Sequence, residues 1–368
     1  DLVVVDGFNG VVILNPVPAT VQQYSTAAAH FHDGLDSGES AADVPLKTLD
    51  GTEIRLYANS DTPASFRKAQ QFGALGIGLY RSEFLFNRYR GFPTENEQYQ
   101  AYCEIAEAAG DGGVKIRTFD IGADQLLDQN KAREKNPALG LRAIRLGLGY
   151  RKLLRTQIRA LLRASFEQKI DIVVPMVSGI TEIRALRELI EHESAQLKTK
   201  GKKIGMPAVG AMIEVPSAVL MVEELVDETD FVCLGTNDLI QYLVAVDRDN
   251  EAVAGWYRTL HPAVLRAIKQ VIAASAKAGK PAVICGEMAG SPYYVPVLIG
   301  LGATELSMNV HSISKVRKIV AGIAAEEARA MIATVEHCRT VEEIEEILGE
   351  HIRRNWGHLF PPDFSFAA

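Results

Sequence analysis

The chain has 368 residues, 47% of them hydrophobic and 23% charged, a balance that suits a folded protein with a sizeable core. Its 39 Lys+Arg against 46 Asp+Glu leave a net charge of −7, which argues against a nucleic-acid partner but leaves room for a local basic pocket. Cys103, Cys233, Cys285 and Cys338 form no CxxC pair, and no apolar run approaches the ~20 residues needed to cross a bilayer, so neither a disulfide scaffold nor membrane insertion is expected, and a reduced, cytoplasmic setting fits better.

Residues 1–16 read as two short strands, LVVV and GVVILN, around the turn DGFNG. Such a hairpin is marginal alone. The chain has no initiator Met and opens in mid-pattern, so 1–16 is expected to be the end of an upstream domain. Residues 17–50 then form a partly helical linker, with HDGLDSGESAAD as its loosest part. From residue 51 the pattern alternates. Candidate strands are 53–59, 75–81, 114–119, 171–176, 208–214, 230–235, 282–286 and 304–308. Helical segments separate them at 62–72, 94–110, 138–166 in two pieces, 178–195, 216–227, 260–278, 290–300 and 312–322. The strands are short apolar runs, as expected when both faces are buried. The pattern predicts an α/β fold, a (β/α)8 TIM barrel over 51–368, with an open doubly wound sheet as the competing arrangement. Two extra C-terminal helices follow; Thr340 and Glu343 have capping-box spacing, and Pro361–Pro362 stops any continuation.

A barrel of this kind carries its chemistry at the C-terminal strand ends. Those ends here are Arg81 with Ser82 and Glu83; Arg117, Thr118 and Asp120; Glu214; Asn237 and Asp238 in GTNDL, then Arg248; Cys285 with Gly286 and Glu287; and Ser307 with Asn309. Arg81, Arg117 and Arg248 offer planar forks suited to phosphate or carboxylate oxygens. Glu214 and Asp238 are hard oxygen donors suited to Mg²⁺, though carboxylates and arginines also neutralise one another without metal. Cys285 is open to two readings, a packing residue or a thiol that exchanges a proton with carbon. Arginines, two carboxylates and Mg²⁺ together imply a small, highly anionic ligand. There is no Gly-rich nucleotide loop between a strand and a helix, and no ordered nucleophile, histidine and carboxylate of a hydrolase.

The segments GLYRSEFLF (78–86), RTFDIGAD (117–124), NPALGLRAIR (136–145), GAMIEVPSA (210–218), GTNDLIQYLVAVDRDN (235–250), CGEMAG (285–290) and ELSMN (305–309) resemble the phosphoenolpyruvate-binding barrel of the phosphoenolpyruvate-utilising enzymes. The form is that of enzyme I of the bacterial sugar phosphotransferase system, and the likeness runs over essentially residues 1–355. It implies Mg²⁺ on Glu214 and Asp238. It implies phosphoenolpyruvate held by Arg81, Arg117, Arg248 and Asn237, with Arg142 in support, and Cys285 as the acid that protonates the methylene carbon as pyruvate forms. The phosphoryl group passes to a histidine and then to a phosphocarrier protein, and such enzymes are homodimers through the barrel. Two departures stand out: Ser82 where the family often has Thr, and Gln125 where Lys is usual.

None of the eight histidines lies in the family's phosphohistidine context, and His261 reads as a structural residue at a helix start. The expectation is therefore the substrate-binding half of a larger protein, whose acceptor histidine lies on an upstream domain. Two other readings stay open: a self-contained Mg²⁺-dependent lyase or mutase acting on phosphoenolpyruvate or pyruvate, and a non-catalytic ligand-sensing or dimerisation module.

Overall fold

Eight strands, all parallel, close into a barrel in the order β10-β3-β4-β5-β6-β7-β8-β9. They are β3 (Arg55–Asn59), β4 (Ile77–Arg81), β5 (Val114–Arg117), β6 (Ile170–Val174), β7 (Val209–Ile213), β8 (Phe231–Leu234), β9 (Ala282–Ile284) and β10 (Glu305–Met308). The computed structural model describes residues 2–6, 11–32, 45–89, 91–126, 134–360 and Phe366. Ahead of the barrel, β1 (Val3–Asp6) and β2 (Val11–Leu14) pair antiparallel, and a helix spans Pro18–His32. Apart from Asp6 and His32, the hairpin turn and the loosest linker segment lie outside the described residues, as does the Pro361–Pro362 stop.

The expected alternation of strand and helix is borne out, and local chemistry sets several of the helix starts. Thr62 caps Pro63–Gln71, with its hydroxyl accepting from the Ser65 N–H and a proline in the first turn. Thr94 and Glu97 form a reciprocal capping box on Glu95–Ala109. The expected box of Thr340 and Glu343 opens Val341–Trp356. His261 is the N-cap of Pro262–Lys277, its Nδ1 accepting from Ala263 N–H at 3.2 Å.

Four segments differ in detail. The helix expected over 290–300 is two pieces, Glu287–Gly290 and Val295–Gly300, and the one expected over 216–227 divides at Met221. Short helices at Glu83–Arg88 and Thr236–Val244 occupy stretches that read as strand-end loops. These last two carry mouth residues in their first turns. Asp238 gains there from the positive end of its helix.

The wall is tied together from both ends of the chain. Asp50, just ahead of β3, accepts from the N–H groups of Ala325 and Glu326 at 3.0 and 2.9 Å and so caps the C-terminal helix Ala325–Val335. Arg258 donates to Glu342 and Glu345 at 3.1 and 2.8 Å, fastening the last helix to the barrel. Every residue of β7 and β8 is buried, as continuous apolar strands require. Inside the barrel, Leu79, Val173, Met212, Phe231, Cys233, Val283 and Cys285 form a separate core. Glycines keep that interior narrow enough to fill: a Cβ at Gly210 would lie 2.3 Å from the Phe231 ring.

Candidate active site

Strand parity builds the mouth. Successive side chains of a strand point to opposite faces, so the residue two beyond an interior side chain faces the same interior, one layer higher. Arg81 stands two beyond Leu79, Glu214 two beyond Met212, and Cys285 two beyond Val283, all three lower residues belonging to the interior core. On β8 the equivalent position is Gly235. A Cβ there would lie 2.6 Å from Glu214 Oε2, so the glycine makes room for that carboxylate.

The arginines are sorted by their partners. β4 and β5 pair with Arg81 opposite Arg117, and two adjacent guanidiniums need carboxylates to be tolerated. Arg81 is half exposed and forks onto Asp61, Nε and Nη2 donating at 3.3 and 2.5 Å. Arg117 is largely buried, with Nη2 3.3 Å from Glu83 Oε2 and Nη1 3.2 Å from Asp120 Oδ2. Asp120 also takes a fork from Arg142, Nε and Nη2 donating at 3.0 and 2.8 Å. The remaining Arg142 nitrogen donates to the Tyr242 hydroxyl at 3.3 Å, and that hydroxyl donates to Ala138 O at 2.6 Å. Burial works against the charge of Arg117, but Glu83, Asp120 and Glu214 more than offset it and fix the guanidinium as protonated. Arg142 is held charged against burial in the same way, chiefly by Asp120. Asp120 is thus the hub on which both of these arginines are set.

The carboxylates facing them are under-neutralised. Glu214 is 1% exposed and accepts from Met176 N–H at 2.7 Å. Burial, then the charges of Asp238 and Asp120, push its carboxyl up to about 8. Asp238 Oδ1 is buried with no hydrogen-bond partner, and Arg248 Nη1 comes no nearer than 3.8 Å. Among the described residues, no cluster of three or more His, Cys, Asp or Glu is arranged to hold a metal. Two acidic oxygen donors from successive strands, one of them orphaned, fit an ion that takes one or two carboxylates and fills its shell with water and ligand oxygens. They do not fit an all-protein cage.

Asn237 Oδ1 accepts from Glu287 N–H at 2.9 Å, which leaves the amide NH₂ as the group presented to a ligand. Its backbone carbonyl accepts from the Tyr257 hydroxyl at 3.0 Å. Arg248 is anchored by its main chain, whose N–H donates to Gln241 Oε1 at 3.1 Å, while its guanidinium reaches the exposed rim. Cys285 forms the floor: it is 5% exposed, and its Sγ lies 3.6 Å from Val283 O and 4.0 Å from Gly78 O. The neighbouring Cys233 thiol and then burial raise its pKa well above the ordinary thiol value, so Cys285 is a protonated thiol, not a nucleophilic thiolate.

The structure therefore gathers Arg117, Arg142, Glu214 and Asp238 around one space, with Arg81, Asn237 and Arg248 at the rim and Cys285 beneath. Ser82 is elsewhere: fully buried in the wall, it accepts from Gln157 Nε2 at 3.1 Å. Gln125 is exposed on the helix Ala123–Leu126. The sequence pattern places Asp120 and Glu83 at strand ends without assigning them a role, and nothing in it marks Asp61 or Tyr242. An acid three residues after Arg117 was the available signal for Asp120.

A family signature described as the phosphoenolpyruvate-binding domain of phosphoenolpyruvate-utilising enzymes matches residues 36–325. A phosphoenolpyruvate-protein phosphotransferase of Staphylococcus aureus is 40% identical over 355 residues, covering 96% of this chain and 62% of the relative. One from Geobacillus stearothermophilus is 41% identical over 346 residues, covering 94% and 60%. The chain thus spans about three-fifths of the length of these curated relatives. Among solved structures, a citrate lyase from Burkholderia xenovorans LB400 matches at 16% identity with a TM-score of 0.44, over 87% of this chain and 96% of that one. That likeness is too distant to bear on function.

Proposed function

The chain belongs to the phosphoenolpyruvate-utilising enzymes, of which it carries the phosphoenolpyruvate-binding domain, and from this we propose that it is the substrate half of a phosphoenolpyruvate–protein phosphotransferase. In that reading the acceptor is a histidine on a domain beyond residues 1–16, the phosphoryl group goes on to a phosphocarrier protein, and two copies associate through the barrel. The observation that carries the proposal is the pair Arg117 and Arg142, set on Asp120 and facing the under-neutralised Glu214 and Asp238.

Glu214 and Asp238 would hold Mg²⁺, which when bound supplies positive charge to the phosphate oxygens. Arg117 and Arg142, held in place by Asp120, would offer phosphate and carboxylate oxygens the N–H groups those contacts leave over, so little is lost in ordering them. Asn237 would donate its free NH₂, and Arg81 and Arg248 would close the rim around the anion. As the phosphorus–oxygen bond breaks, phosphorus bonds to the histidine Nε2 and enolpyruvate leaves. The methylene carbon then takes the proton from Cys285 Sγ, giving pyruvate, and the thiolate recovers a proton from water. Cys285 suits this step because its raised pKa keeps the proton on sulfur until the carbon demands it.

The test is calorimetric titration of the 368-residue chain with phosphoenolpyruvate, with and without Mg²⁺. Binding that requires Mg²⁺ supports the reading; binding indifferent to metal, or none, overturns it. Turnover of phosphoenolpyruvate by the isolated chain would favour a self-contained lyase or mutase instead.

A further inference from the structure

The wall behind the arginines contains a buried polar brace. The backbone ladder between β4 and β5 runs up to the Arg81–Arg117 pair and ends there. It ends because Ser82 turns into helical backbone, φ −65° and ψ −16°, to start the helix Glu83–Arg88. The next groups along, Ser82 Oγ and the Phe119 N–H, have no strand to complete them. Gln157, 1% exposed on the helix Arg151–Ala164, fills that gap. Its Oε1 accepts from Phe119 N–H at 3.0 Å, and its Nε2 donates to Ser82 Oγ at 3.1 Å and to Tyr102 Oη at 3.0 Å. Tyr102 donates in turn to Gln98 Oε1 at 3.1 Å, and Gln98 Nε2 to Pro93 O at 2.8 Å. Tyr102, Gln98 and Ser82 are all fully buried.

We infer that Gln157 is a positioning residue: it fastens the ends of β4 and β5 to each other and thereby sets the spacing of the ligand-facing arginines. Both of its anchors adjoin the mouth. Ser82 lies between Arg81 and Glu83, and Phe119 directly precedes Asp120, the hub for Arg117 and Arg142. Glu83 Oε1 accepts from Asp120 N–H at 2.5 Å, so the two strand ends are linked once by Gln157 and once by Glu83. An apolar side chain of similar volume would fill the same space, but it would leave Phe119 N–H without an acceptor in a buried wall. The brace also accounts for a hydroxyl residue at position 82: its hydroxyl serves the wall.

The inference rests on the phosphoenolpyruvate reading, so the test has one arm that depends on it and one that does not. The full chain is prepared as wild type, Gln157→Met, Ser82→Ala and the double variant. In the first arm each is titrated with phosphoenolpyruvate in MgCl₂, and with Mg²⁺ alone, well below its thermal midpoint. Gln157→Met is expected to weaken phosphoenolpyruvate about tenfold, since small misplacements at such sites are costly. Mg²⁺ affinity should stay within about twofold, because Glu214 and Asp238 are not held by the brace. Ser82→Ala should give part of that loss, and the double variant no more than Gln157→Met. Unchanged phosphoenolpyruvate affinity, or equal loss for metal and substrate, overturns the inference.

In the second arm amide hydrogen exchange is followed at Phe119 and Asp120. Phe119 N–H should exchange at least about tenfold faster in Gln157→Met, with Asp120 N–H, which donates to Glu83 Oε1, and Thr118 N–H, which donates to Val173 O at 2.9 Å, unchanged. Unchanged exchange at Phe119 refutes the brace even if the wild type binds no phosphoenolpyruvate, a result that by itself would sink only the functional reading. If Gln157→Met does not fold, Ser82→Ala, which deletes one bond and adds no volume, carries both arms.

Discussion

Replacing Glu214 with Gln is expected to stabilise the ligand-free chain at alkaline pH while abolishing its metal-dependent binding. Glu214 is 1% exposed, and burial, with Asp238 and Asp120 beside it, pushes its carboxyl up to about 8 from an ordinary 4.5. In the unfolded chain the same group ionises near its ordinary value. Its contribution to stability is therefore full below pH 4.5, declines above it, and is gone once the pH has risen through about 8. Each tenfold in proton affinity is worth about 1.4 kcal/mol, so the whole interval amounts to about 5 kcal/mol. Gln does not reproduce every contact of the protonated acid, and the substitution is expected to recover about half. Gln keeps an oxygen for the Met176 N–H, which now donates to Glu214 Oε1 at 2.7 Å. It also brings N–H donors to a region where Asp238 Oδ1 has none. For a chain of this size the gain corresponds to a rise of about 3 °C in thermal midpoint at pH 9. At pH 4.5 little difference should remain. Scanning calorimetry of both proteins at the two pH values is the assay. Equal midpoint changes at both, or none at pH 9, would refute the claim that Glu214 is buried against its charge.

Cys285→Ala is expected to leave phosphoenolpyruvate affinity within about threefold and to slow pyruvate release by about a hundredfold once a phosphohistidine domain is supplied in trans; an unchanged rate removes Cys285 from the chemistry. Gly235→Ala keeps an allowed backbone, φ there being −86°, but its Cβ would lie 2.6 Å from Glu214 Oε2 and 3.1 Å from Glu214 Cβ, so it should cost about 1–2 kcal/mol of stability without unfolding the chain. It should also displace Glu214 and lower Mg²⁺-dependent binding about tenfold by titration; intact binding would show that the Glu214 carboxylate is not needed where it stands. Thr340→Ala removes a capping box far from the mouth and should cost about 1 kcal/mol in urea unfolding with ligand binding unaltered.

Much of the site was legible in the chain because barrel strands obey a period of two. Arg81, Arg117, Glu214 and Cys285 could be named as strand-end residues from the apolar runs that precede them. Asp238 and Asn237 came from the motif that follows β8. The limits fell where the local pattern carries no information. In the chain Asp120 is one acid among several, and only the fold brings Arg117 and Arg142 together on it. Ser82 looked like a mouth residue because it follows Arg81, but the same period of two turns it outward, under the helix Arg151–Ala164. The helices Glu83–Arg88 and Thr236–Val244 are too short for periodicity to reveal.

The sequence by itself determined the alternation of strand and helix, the capped helix starts, and the residue types gathered at one end of the barrel. These follow from neighbours a few positions apart, through burial periodicity and capping hydrogen bonds. Only the tertiary structure decided which charges meet. Arg81 goes to Asp61, Arg117 and Arg142 share Asp120, and Glu214 remains unneutralised beside Asp238. Those pairings depend on strand register and on how the closed barrel brings distant segments together. No residue's immediate neighbours encode that geometry, because closure is set by packing around the whole wall.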